Sequence, residues 1–148
     1  MRKRAWLALA GVFVGVHAMT LASGVRATEG GAATHDWVSV GVEGALEHFV
    51  DAASLARSGE VVRVVKRSVY REPQPMGDTP GLPLVRETVG VIEDDCQRVQ
   101  HRAVSLQLIG IEGQVLWSSG EMKRVWESIE PGSGGRATLD FACARTAR

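Results

Sequence analysis

The sequence has no C-x-x-C pair, no G-x-S-x-G turn, no glycine-rich loop followed by Lys-Ser or Lys-Thr, and no net charge, with 17 basic residues balancing 17 acidic ones. Each absence removes a class of function. Without C-x-x-C, a structural metal site lacks its ligand spacing. Nucleophilic catalysis needs a serine or cysteine beside a base and an oxyanion hole, and the serines here fall in strand faces or turns without a G-x-S-x-G context. Gly132, Gly134 and Gly135 are not followed by the Lys-Ser/Thr of a phosphate cradle. A balanced charge does not suit a nucleic-acid binder, which neutralises phosphates with clustered Lys and Arg. With 148 residues, the chain has room for one domain and a targeting segment.

What is present begins with export. Arg2-Lys3-Arg4 forms a positive start, and Ala5 to Ala22 an apolar stretch with Trp6, Leu7, Leu9, Val12, Phe13 and Val14. Val25-Arg26-Ala27 offers tolerated residues at a cleavage site, so residues 1–27 read as a signal peptide; Ala22 and Gly24 are alternative cut points. A bilayer span needs about 20 unbroken apolar residues, and His17, Thr20, Ser23 and the glycines interrupt this run. No membrane span is expected after cleavage, and no cysteine near the cut can carry a lipid anchor. Cleavage removes Arg2, Lys3, Arg4 and Arg26 with no acid, which leaves the mature chain mildly acidic. The remaining basic cluster, Arg63, Lys66, Arg67 and Arg71, is read as the solvated face of a strand.

The chain has two cysteines, Cys96 and Cys143. In an exported protein, two and no third point to one intramolecular disulfide. It would tie the tail of the chain to its middle.

Residues 28–35 are small and Gly/Ala-rich and read as a disordered leader, so the domain is placed at 36–148. Trp37–Val42 and Leu46–Asp51 suit two strands of a hairpin turning at Gly44. Asp51 can cap a helical turn ending at Ser58-Gly59, with Leu55 pinning it to the core. Residues 60–71, rich in valine, are the strongest strand, whose doubled valines point to a bulge or to two buried faces. Residues 72–83 carry four prolines and are expected to form a long mobile loop without ladder capacity. Residues 84–95 and 98–109 alternate as strands, the latter with Val104, Leu106 and Leu108 on one side. Residues 110–113 form a hairpin loop before a strand at 114–118, and 122–129 is a short amphipathic piece. Ser133 can cap a final element in which Leu139, Phe141 and Cys143 alternate as in a strand, while a helix would group Leu139, Ala142 and Cys143. The local pattern leaves both open.

Candidate chemistry is sparse. Glu93-Asp94-Asp95 are adjacent acids whose side chains point to opposite faces of a strand, so they do not converge for acid–base work and read as a solvated, charged edge. His35, His48 and His101 read as a tail, a strand face and an edge rather than a shared metal or haem site. Trp37, Trp117 and Trp126 are expected in core packing, with an aromatic binding platform as the lesser alternative.

Trp37, Val50-Asp51, Ser54-Leu55, Gly59-Glu60-Val61-Val62, Tyr70, Asp95-Cys96, Gly113-Gln114-Val115, Trp126-Glu127-Ser128-Ile129-Glu130-Pro131-Gly132-Ser133, Leu139 and Cys143 together resemble the surface-adhesin protein E family over nearly all of the mature chain. The W-x-x-I-x-P-G-S segment leading to a cysteine, with an upstream Asp-Cys, is the most specific part. The resemblance implies an α+β, mainly β fold: one antiparallel sheet of about six strands with a C-terminal helix at 134–145 tethered to one face by Cys96–Cys143. It implies a non-catalytic protein-binding module of the bacterial envelope, in the periplasm or at the surface, with envelope or host-matrix proteins as partners. A periplasmic module holding a small ligand or inhibitor on the sheet face under the helix is the alternative, and a hydrolase the remotest. No catalytic residue, cofactor or metal is assigned, the ligand-binding residues are unknown, and a homodimer is left open.

Overall fold

A computed structural model describes residues 34–122 and 125–147; the expected signal peptide and most of the expected leader lie outside the described residues. Eight strands and one helix follow in chain order. They are β1 (Trp37–Glu43), β2 (Leu46–Asp51), β3 (Ala56–Ser58), β4 (Val61–Pro75), β5 (Leu84–Asp95), β6 (Gln100–Gly110), β7 (Val115–Ser118), β8 (Glu127–Ser128) and α1 (Gly134–Arg145). The sheet is antiparallel throughout, in the order β1-β2-β4-β5-β6-β7, with β3 added to β4 and β8 to β6. The main path has the six strands expected, and the sheet has eight in all. The two extra strands, of three and two residues, are too short for a periodic signal.

β1 and β2 join through Gly44 and Ala45, and Gly44 takes φ 58°, the positive value that a two-residue hairpin requires at its first central position. Asp51 then caps a single 3-10 turn over Ala52–Ser54, accepting from the Ala53 N–H. The expected helical turn stops there. Residues 56–58 pair with Val61–Arg63 as β3, and Leu55 is half-buried between them.

β4 is 15 residues long and pairs with β5 from Val61 to Val69 without a break. No bulge marks the doubled valines; the register shifts only between Val69 and Gln74. Beyond that shift Gln74 and Pro75 pair with Val85 and Leu84, and the Met76 N–H donates to the Pro83 carbonyl. The expected 72–83 loop therefore shortens at its first end. Once the bulge has taken up the slack, a proline can sit in a strand at a position that needs no N–H donor.

α1 packs against β1, β2, β4 and β5. Ser133 caps it, its hydroxyl accepting from the Arg136 N–H, and Thr138, Leu139 and Ala142 form its buried side while Phe141 stands half-buried. Helix thus prevails over strand, because that grouping buries a stripe against the sheet. Cys96 and Cys143 are bonded, closing a 47-residue separation and fixing the end of α1 beside the end of β5. Between helix and sheet lies a core of small branched residues: Val50, Val62, Val64, Leu139 and Ala142.

Candidate interaction site

Side chains alternate across a strand, and cross-strand partners share a face. In β4, Val62, Val64, Lys66 and Ser68 lie on the face under α1, and Arg63, Val65 and Arg67 on the opposite, open face. The basic cluster expected on one solvated face is therefore divided. Lys66 turns inward, against expectation, because its parity is that of Val62 and Val64.

None of the three tryptophans enters the core as expected. Trp37 and Trp126 are half-buried and Trp117 is 43% exposed. The volume between a sheet and one helix is thin and already filled by valines. On the open side the Arg67 guanidinium lies 5.8 Å from the Trp37 ring and 5.9 Å from that of Phe49, its neighbour on β2. Arg67 is held there by Glu87 of β5, with Nε donating at 2.6 Å. Further along the same face Glu93 accepts from Arg63 at 3.2 Å and from Arg102 at 2.7 Å, and Arg102 lies 4.3 Å from the Trp126 ring. The result is two aromatic–arginine clusters flanking a half-buried stripe of Val65, Val89 and Val91.

The acidic triplet is not the solvated edge expected. Glu93, Asp94 and Asp95 are all buried, at 7%, 0% and 5% exposure. They do fail to converge, as the alternation requires. Glu93 serves the open face, Asp95 closes the turn after β5 by accepting from the Gln97 and Arg98 N–H groups, and Asp94 faces α1. Asp94 has no hydrogen-bond partner for either oxygen, and burial pushes its carboxyl up to about 7 against a partial pull down from Lys66. Lys66 is in turn pushed down by burial, opposed by Asp94 and Glu43.

His48 is also buried on this face, with Nδ1 2.8 Å from the Ser68 hydroxyl. Its Nε2 lies 3.5 Å from Glu43 Oε2, close enough for attraction but without hydrogen-bond geometry. Burial, followed by the charge of Lys66, holds the imidazole below its ordinary value. Glu43 accepts at 2.6 Å from the Gly134 N–H at the start of α1, which holds its carboxyl low. A Cβ at Gly134 would collide with the His48 ring, and one at Gly135 would lie 3.3 Å from His101 Cε1. The first turn of the helix therefore rests on two imidazoles, and glycine is what lets it approach.

His101 is not an edge residue. A register shift in β6 opposite Val91 and Ile92 breaks the expected 104–106–108 alternation and sets His101 opposite Asp94, where burial lowers its pKa. His35 is not a free tail residue either: its Nδ1 is 2.7 Å from Asp51 Oδ2, and its ring centroid lies 5.1 Å from that of Trp37, tilted by 32°. Ordered packing thus begins within the expected leader. Among the described residues no group of three or more His, Cys, Asp or Glu is placed to hold a metal, and no helix is long and apolar enough to cross a membrane.

Sequence reasoning missed Phe49, Glu87 and Arg102 as members of the open face and Lys66 and Asp94 as members of the covered one. Strand parity from Val62 and Val64 carries the signal for Lys66. Nothing local carries it for His101, since a bulge resets the parity.

Comparison with known proteins gives this arrangement a family. No curated protein sequence matches the chain. Among solved structures it is similar to Haemophilus influenzae protein E in crystal form II, at 11% identity and a TM-score of 0.52, over 78% of this chain and 100% of that one. A second structure of Haemophilus influenzae protein E is similar at 14% identity and a TM-score of 0.48, over 66% and 76% of the two chains. The first of these likenesses supports the fold. The sequence model of the family Surface-adhesin protein E matches residues 37–144, from the first strand to the last turn of the helix. The chain belongs to the surface-adhesin protein E family, and its domain is an adhesin-like interaction module of the envelope.

Proposed function

We propose that the open face of the sheet is the working surface of this module, and that it binds an envelope or host-matrix protein without catalysis. One observation carries the reading: Trp37, Phe49 and Trp126 stand outside the valine core, each with an arginine held against its ring by a carboxylate. Trp and Arg are the residues that dominate binding energy at protein interfaces. A ring and guanidinium already locked in place lose little side-chain freedom on association. In the same reading residues 1–27 are removed as a signal peptide and residues 28–35 lead into the domain.

The test is binding of the mature protein to an immobilised panel of extracellular-matrix, serum and envelope proteins. A saturable partner is expected, with Trp37→Ala and Arg67→Ala each weakening it by at least about tenfold, the scale of an interface hot spot. Binding that survives the loss of both side chains, in variants with unchanged melting temperature, overturns the assignment of this face.

A further inference from the structure

The covered face holds a cavity that the interaction surface does not use. It has a volume of about 170 Å³ and is lined by Lys66, Ser68, Thr88, Gly90, Ile92 and Leu106. The positions are in register: Ser68 opposes Thr88, Lys66 opposes Gly90, and Gly90 opposes Leu106. Gly90 keeps the floor low, since a Cβ there would come within 2.9 Å of the Ser105 carbonyl oxygen and 3.3 Å of Leu106 Cδ1.

The polar groups of this cavity are incompletely used. Among the described residues Lys66 has no carboxylate within ion-pair distance, and Thr88 Oγ1 has no hydrogen bond. Ser68 is bonded to His48 Nδ1; when that nitrogen carries the proton, the Ser68 hydroxyl hydrogen is available to the cavity. One cation and two hydroxyls thus stand at the rim of an apolar floor made by Gly90, Ile92 and Leu106. Lys66 is half-buried, and Asp94 and Glu43 offset its desolvation only from beyond ion-pair distance, so an anion that pairs with it directly relieves the remaining cost.

We infer that this cavity binds a short-chain aliphatic monocarboxylate, its carboxylate on Lys66 and Thr88 and its tail over Gly90, Ile92 and Leu106. A single ammonium suits one negative charge better than a phosphate dianion. The volume is below the roughly 300–1,000 Å³ of sites for drug-sized ligands, which limits the guest to a few carbons. The inference is independent of the open-face reading, because its residues lie on the opposite side of the sheet.

The experiment titrates the mature, oxidised protein with sodium butyrate, following amide and Lys66 side-chain resonances by NMR, with sodium chloride, butylamine and butanol as matched controls. Butyrate is expected to give saturable shifts confined to residues around Lys66, Thr88 and Leu106, which the controls do not reproduce. Lys66→Met is expected to weaken binding by about tenfold or more, the loss of one charged hydrogen bond. Leu106→Trp, which fills the floor without touching the charge, is expected to abolish it and keeps the test decisive if the lysine variant folds poorly. Equal shifts with sodium chloride or butylamine, or unchanged affinity in a folded Leu106→Trp, overturn the inference.

Discussion

The two faces of this sheet invert the usual division of labour. The open face carries the large rings and satisfied charges: Arg67 on Glu87, Arg63 and Arg102 on Glu93, and guanidinium groups on Trp37, Phe49 and Trp126. The covered face carries small valines and the strained ionisable groups: Asp94, buried without a hydrogen bond, and Lys66, half-buried and pushed down by desolvation. A binding surface gains from ordering its side chains in advance. A buried face that leaves charges unpaired gives up stability, and a chain that does so needs another means of keeping its cover closed.

That means is the disulfide, so the sharpest way to break the comparison is to remove it. Cys96→Ser or Cys143→Ser is expected to cost about 4 kcal/mol, from the chain-entropy estimate for a loop of this size, and to open the helix to protease. Thermal melts with and without reductant, together with limited proteolysis, check it; an unchanged melting temperature would refute the role.

The next largest effect comes from Asp94. Its folded carboxyl holds a proton up to about 7, while the unfolded one releases it near 3.8. Between those values the folded state binds more protons, so this group's contribution to stability is present at low pH and is lost as pH rises toward 7. The shift corresponds to roughly 4 kcal/mol as an upper bound. His48 and His101, whose values are lowered, act with the opposite sign and destabilise the fold as pH falls below 6.5. The clean readout is therefore a difference: Asp94→Asn should gain stability over the parent at pH 8 and lose that advantage by pH 5. Denaturant titrations at the two pH values measure it, and an equal difference at both would count against the buried carboxyl.

Gly134 sharpens the same face more locally. Gly134→Ala must displace His48, at about 1–3 kcal/mol for overpacking, and the penalty should shrink in a His48→Ala background. Additive losses would show that the helix start does not rest on that ring. The smallest stability effects belong to the open face: Arg67→Ala should cost no more than about 1 kcal/mol, the worth of an exposed ion pair or cation–π contact. A larger loss there would mean that this face supports the fold rather than serving a partner.

Much of the fold is legible along the chain. The valine run of β4, the alternation of β5 and the first hairpin need only local rules, and two cysteines in an exported chain have one partner each. The site is less legible. Lys66 could have been placed from its parity with Val62 and Val64, but His101 could not, because the β6 bulge changes which residues face α1. The tryptophans misled because ring size argues for burial only where a core is deep enough to take it.

By itself the sequence determined the six main strands and the covalent tie, since these follow from side-chain shape, thiol count and short-range spacing. The tertiary structure alone decided that residues 134–145 turn as a helix, that the rings stay outside and that Asp94 and Lys66 share the interior. Those outcomes depend on which face one helix covers, and that choice is made by contacts between residues dozens of positions apart, which no local pattern records.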